Sequence, residues 1–150
     1  MAYWLMKSEP GEYSIDDLER DKTEPWDGIR NYQARNHIRD DMQIGDLVFF
    51  YHSSCKEPAI VGIAKISSAA YPDPTQFDPR SHHYDEKSTE EDPRWMLVDV
   101  AFKRKLRRPI TLTELKENKD VRDFRLTMRG NRLSVFPVSA AHWELILGLE

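Results

Sequence analysis

The chain has 150 residues, a formal net charge of −4 and one cysteine, Cys55. That length suits one domain over 1–150 and buries about two thirds of the unfolded chain's surface, so no staple is required. A lone thiol excludes an internal disulfide, no apolar run is long enough to span a membrane or act as a signal segment, and the acidic balance disfavours a nonspecific nucleic-acid coat. A soluble monomer of the reducing cytoplasm is the expectation.

Tyr3 to Met6 is an apolar run too short for a helix, and Pro10 stops it, so it reads as a core strand that delivers Lys7, Ser8 and Glu9 at its end. Ser14 with Asp17 three residues on predicts a capped helix over 14–20. A second helix is expected over about 31–40, with Ala34 and Ile38 inward, before a turn at Gly45 and Asp46. Leu47 to Tyr51 and Ala59 to Ile66 read as adjacent antiparallel strands. Tyr71 to Pro93 is a long acidic loop with four prolines, and a loop of that length in a compact domain is functional or disordered. Trp95 to Phe102 alternates as a strand, Leu112 to Lys116 is a short helix behind Thr111 or Thr113, and the tail from Ser139 is an amphipathic helix with Trp143, Ile146 and Leu147 facing the body. Strands interleaved with short, irregular helices lack the rhythm of a parallel βαβ sheet. The fold class predicted is α+β, a mixed, mostly antiparallel β-barrel surrounded by short helices.

Between Trp26 and Asn36 the chain holds two aromatic rings, two guanidiniums, three side-chain amides and Gly28. An aromatic ring offers a stacking face to a planar heterocycle, Asn and Gln set a donor beside an acceptor as a base edge does, and Arg answers phosphate. The stretch reads as a pocket for a nucleobase. The alternative is a helix N-terminus with a core Trp and solvated arginines. Residues 103–132 carry 11 basic and 4 acidic side chains, so a basic face can exist on this acidic molecule, although the run Lys103, Arg104, Lys105, Arg107, Arg108 alternates along a strand and cannot all line one site. If exposed, that run would look like a nuclear address.

Five segments taken together, Tyr3 to Pro10, Trp26 to Asn36, Phe49 to Ser53, Ala70 to Pro74 and Arg132 to Val135, resemble the EVE domain over essentially the whole chain. The resemblance implies a PUA-like fold, a small β-barrel ringed by helices, related to the YTH domains that hold a methylated adenine of RNA in an aromatic cage. It implies recognition of a modified nucleobase, a methylated or oxidised cytosine or adenine of DNA or RNA, without chemistry and without a cofactor. Lys7 and Ser8 match the YTH pattern at the end of the first strand, Trp26 matches a cage Trp, and Trp95 stands about where the pattern has its other Trp. The expected nucleobase-binding set is Lys7, Ser8, Glu9, Trp26, Gly28, Asn31, Tyr32, His52, Ser53 and Trp95. The expected phosphate-binding set is Arg30, Arg35, Lys103 and Arg104, with affinity falling as salt rises.

The rival reading is a nucleic-acid-modifying enzyme using the same pocket, with Glu9, Lys7 and His52 as an acid-base set. The residues give it little help. Cys55 lies in a polar turn where Lys56 could depress its pKa, and adjacent His82 and His83 with Asp78 and Asp85 make a poor ligand set for a metal. No phosphate-cradling glycine loop is present. A protein-binding module working through the proline-rich loop would have only Tyr71, Phe77 and Tyr84 as apolar contacts there.

Overall fold

The computed structural model describes residues 1–150. Its elements in chain order are β1 (Tyr3–Ser8), α1 (Ile15–Asp21), β2 (Thr23–Pro25), α2 (Tyr32–Asn36) running into a π-helical turn (His37–Asp41), β3 (Leu47–His52), β4 (Ala59–Ile66), β5 (Tyr71–Pro72), β6 (Met96–Leu97), β7 (Asp99–Thr111), α3 (Leu112–Glu117), β8 (Val135–Val138) and α4 (Ala140–Leu147). Six strands form one sheet in the order β2-β7-β4-β3-β1-β8, and β5 pairs with β6 in a separate ribbon. The large sheet curls into a half-barrel with β2 and β8 at its two ends. Only β1 with β3 is parallel, in a register that sets Lys7 beside Tyr51 and Ser8 beside His52.

Side chains alternate across a strand, and here both faces of the sheet are covered. Trp4, Met6, Val48 and Phe50 point into one core with α1, Ala34 and Ile38, whereas Leu5, Phe49 and Tyr51 point into a second with Phe136, Trp143 and Ile146. This explains why β1 and β3 read as unbroken apolar runs. Trp143 of α4 stacks on Phe49 at 3.8 Å and on Tyr3 at 4.6 Å between ring centroids, fastening the tail helix to the second core.

The capping pair closes as a reciprocal box: Asp17 N–H donates to Ser14 Oγ at 3.1 Å and Ser14 N–H donates to Asp17 Oδ2 at 2.9 Å. The next N–H of that helix start, from Ile15, donates to His52 Nε2 at 3.1 Å. The long loop departs from an unstructured tract. It holds a 3-10 turn over Pro74–Phe77 and is organised on buried Gln76, whose amide donates to the carbonyls of Asp73 and Trp95 and accepts from Ser88 Oγ and Trp95 N–H. The strand expected to end at Phe102 continues to Thr111, and β2 and β8 were not legible as strands because three or four residues carry too short a pattern.

Candidate nucleic-acid interface

At the ends of β1 and β3 the surface opens into a recess of about 740 Å³. Five segments build it: Lys7, Ser8 and Glu9 leave β1, Glu12 and Tyr13 follow, Glu24 to Ile29 run on from β2, Ser53 and Ser54 follow β3, and Arg132 and Ser134 precede β8. The β1 end is tied to the last of these by Lys7 N–H donating to the Ser134 carbonyl at 2.8 Å. His83 of the long loop supplies the remaining wall.

Trp26 forms the apolar base of the recess. It is 8% exposed, packs edge to face on Phe50 at 5.5 Å, and meets Tyr13 at 6.4 Å with the two ring planes 84° apart. Most of the indole is therefore core, but its N–H has no protein partner and is not sealed from solvent. The Trp26 margin and the Tyr13 ring are the two aromatic surfaces of the recess.

The polar rim is mostly acidic: Glu9, Glu12, Glu24 and Asp27 line it along with Lys7 and Arg132. Burial pushes the Lys7 ammonium below the ordinary lysine pKa. Burial, with Asp21 and Asp27 nearby, raises Glu24, and burial with Asp73 nearby raises Asp27. Such carboxyls suit hydrogen bonds to an exocyclic amino group better than the neighbourhood of a phosphate. Ser8 Oγ donates to the Tyr13 carbonyl at 2.5 Å, which leaves its oxygen as an acceptor.

His83 reaches the recess because Gly28 has no side chain: a Cβ there would stand 2.7 Å from His83 Nε2, and the backbone has φ +81°. Gly28 N–H donates to Asp73 Oδ2 at 2.8 Å. Arg30 then straps the loop in place, with Nη1 on Asp73 Oδ2 at 3.0 Å, Nη2 on Thr75 Oγ1 at 3.1 Å, and Nε and Nη2 on the His83 carbonyl at 3.0 and 2.7 Å.

Of the residues anticipated from sequence, the recess gathers Lys7, Ser8, Glu9, Trp26, Gly28 and Ser53, and leaves the others outside. Asn31 is the N-cap of α2, its Oδ1 accepting from Ala34 N–H at 3.0 Å, so a helix end uses the amide oxygen expected on a base edge. Trp95 does not line the recess. It is 6% exposed, donates Nε1–H to Asp85, and stacks under Tyr32 at 4.8 Å, with Arg35 over Tyr32 and Arg30 over Trp95. The His52 ring accepts at the start of α1 and does not line the recess. Arg30 is consumed by the strap, Arg35 donates to the Arg94 carbonyl at 2.6 Å, and Arg104 forms a two-pronged pair with Glu150 at 2.9 and 2.6 Å. Lys103 is exposed on β7, away from the recess. Tyr13, Glu24, Asp27, His83 and Arg132 were missed; they come from four separate segments of the chain, and no local pattern shows that these segments meet.

A curled half-barrel with a recess at its strand ends defines a PUA-like α+β protein. The EVE domain model matches residues 2–149, and the chain belongs to that family. It is 46% identical to mouse thymocyte nuclear protein 1 over 99% of this chain and 73% of the relative. A crystal structure of a Pseudomonas syringae protein superposes with a TM-score of 0.94 at 51% identity, covering 99% of both chains. The human THYN1 protein, solved in complex with 5-methylcytosine-containing DNA, superposes with a TM-score of 0.93 at 42% identity, covering 99% of this chain and 97% of that one. A yeast YTH domain, from Zygosaccharomyces rouxii and in complex with N6-methyladenosine RNA, shares the fold at a TM-score of 0.56 and 12% identity, covering 99% of this chain and 85% of that one. No helix is long and apolar enough to cross a membrane.

Proposed function

We propose that this protein is a non-catalytic reader of a modified nucleobase, taking a single base out of its strand into the recess floored by Trp26. The observation that carries the reading is the human THYN1 complex with 5-methylcytosine DNA, which this chain matches along nearly its whole length. The recess supports it. A base lifted from a stack loses a few kcal/mol, and an aromatic contact returns about 1 to 3 kcal/mol. Trp26 and Tyr13 supply that contact, the Asp27 and Glu24 carboxyls accept from an exocyclic amino group, and Lys7 donates to a ring carbonyl or ring nitrogen. The set binds and orients; it contains no cysteine, and its one imidazole, His83, stands at the wall against Gly28.

The test is a binding series with oligonucleotides that differ only in one base: cytosine, 5-methylcytosine, 5-hydroxymethylcytosine, adenine and N6-methyladenine. Preference for a modified base supports the reading, and equal affinity across the series overturns it. Because Trp26 is largely core, Trp26→Ala would cost about 3 to 5 kcal/mol of stability and confound the result, so Trp26→Phe is the informative variant. It should stay folded while losing about tenfold in affinity for the preferred oligonucleotide, on the order of 1.4 kcal/mol of stacking. Mass spectrometry of the recovered nucleosides separates reader from enzyme: any mass change of the bound base overturns the non-catalytic part.

A further inference from the structure

The arginines expected to hold phosphate are nearly all engaged within the protein. Arg30 bonds Asp73, Arg35 donates to the Arg94 carbonyl and Arg104 bonds Glu150, and among the other arginines Arg39 bonds Asp40 and Arg108 bonds Glu114. A guanidinium already forked on a carboxylate is a weak ligand for a second anion. The turn before β8 is different. A second, shallower groove of about 360 Å³ is lined there by Arg125, Arg129 and Arg132, with no acidic residue. None of these three guanidiniums meets a carboxylate, whereas the base recess holds four carboxyl groups.

One more observation marks the groove as unfilled in its hydrogen bonding. Asn131 Nδ2, on its lining, is the one buried side-chain donor in the chain with no partner. A donor left in that condition costs about 1 to 3 kcal/mol unless an acceptor arrives. Gly130, at φ +81° with open space around its Cα, turns the chain so that Arg129 and Arg132 flank it. The groove also adjoins the recess, because Arg132 lines both.

We propose that the groove of Arg125, Arg129, Asn131 and Arg132 carries the sugar-phosphate strand on one side of the inserted base, Arg132 receiving the phosphate adjoining that base. The assignment rests on the base-reading proposal for where the strand enters, and it divides the labour by charge: the acidic recess repels phosphate and receives the base, and the unpaired guanidiniums receive the backbone. Exposed Met128 forms an apolar ledge of the same groove.

The double variant Arg125→Gln, Arg129→Gln tests this without touching the recess. Binding of a modified single-stranded oligonucleotide is measured from low to moderate salt, and so is binding of an abasic oligonucleotide that offers phosphates but no bases. Loss of two contacts should reduce the slope of log affinity against log salt by about 1.4, at roughly 0.7 per phosphate, and should abolish abasic binding. The preference for the modified base over the plain base should be unchanged. An unaltered salt slope, or wild-type protein that fails to bind the abasic strand, overturns the groove while leaving the base reading standing. A wild-type protein that binds abasic strand through these arginines yet shows no base preference overturns the base reading and keeps the groove as a backbone site.

Discussion

Asp73 and Arg30 meet at 3.0 Å across 43 residues of chain, and their pairing is what places the long loop against the recess. Asp73 is fully buried and saturated: Oδ1 accepts from Thr75 N–H and Oγ–H, Oδ2 from Gly28 N–H and Arg30 Nη1. Burial alone would raise its pKa, but the bonds from Thr75, Gly28 and Arg30 outweigh burial and hold it below the usual carboxylate range. Removing the buried carboxylate is costly because it leaves the half-buried Arg30 and the N–H groups of Gly28 and Thr75 without their acceptor. Asp73→Asn should lower stability by about 3 kcal/mol in a denaturant titration. In the native protein this carboxylate stabilises fully above its unfolded pKa, and the contribution fades as pH falls below about 4. The Asn variant should lack that acid limb.

Gly28→Ala tests whether the close approach of His83 matters. The substitution puts a Cβ at 2.7 Å from the imidazole and asks a non-glycine residue to hold φ +81°. The conformational cost is about 1 to 2 kcal/mol, and the ring must also move out. A modest fall in melting temperature with a shifted His83 resonance is the expected result, along with weaker oligonucleotide binding. An unshifted resonance would show that His83 does not depend on this glycine.

His52 links stability to pH near neutrality. Its Nε2 must be unprotonated to accept the Ile15 N–H, and burial lowers its pKa, against a smaller opposing pull from Asp16. A histidine depressed in the folded state contributes fully above its unfolded pKa, about 6.5, and the contribution declines as pH falls through that value. Stability should therefore drop between pH 7 and pH 5. His52→Gln retains an acceptor without titrating, and its stability should vary less over that range.

Lys7 gives an alkaline counterpart in binding. Burial lowers its pKa, so its charge is lost at a lower pH than that of a free lysine, about 10.4. Affinity for a modified oligonucleotide should decline as pH rises toward that value. Lys7→Met should bind more weakly at neutral pH and should not show the decline; a retained alkaline limb would assign it to another group.

The capping box at Ser14 and Asp17, the paired strands β3 and β4, and the inward Trp143 and Ile146 could be read in sequence because each depends on neighbours a few residues apart. So could the meeting of Lys7, Ser8, Trp26 and Ser53, although there the family resemblance did what local physics could not. Asn31 and Trp95 lie outside the recess, and one reason kept the sequence from showing it. An amide that pairs with a base also caps a helix, and an indole that cages a base also fills a core, so residue type leaves the choice open.

The sequence by itself determined the longer elements, β1, α1, β3, β4 and α4, since hydrophobic period and capping are local properties of the chain. Only the tertiary structure decided which charges are spent and which are free. Arg30 and Arg104 find carboxylates far away in sequence, Arg125, Arg129 and Arg132 find none, and nothing local distinguishes them. Charge pairing depends on distance in space, and that distance exists only once the sheet has curled and brought its strand ends together.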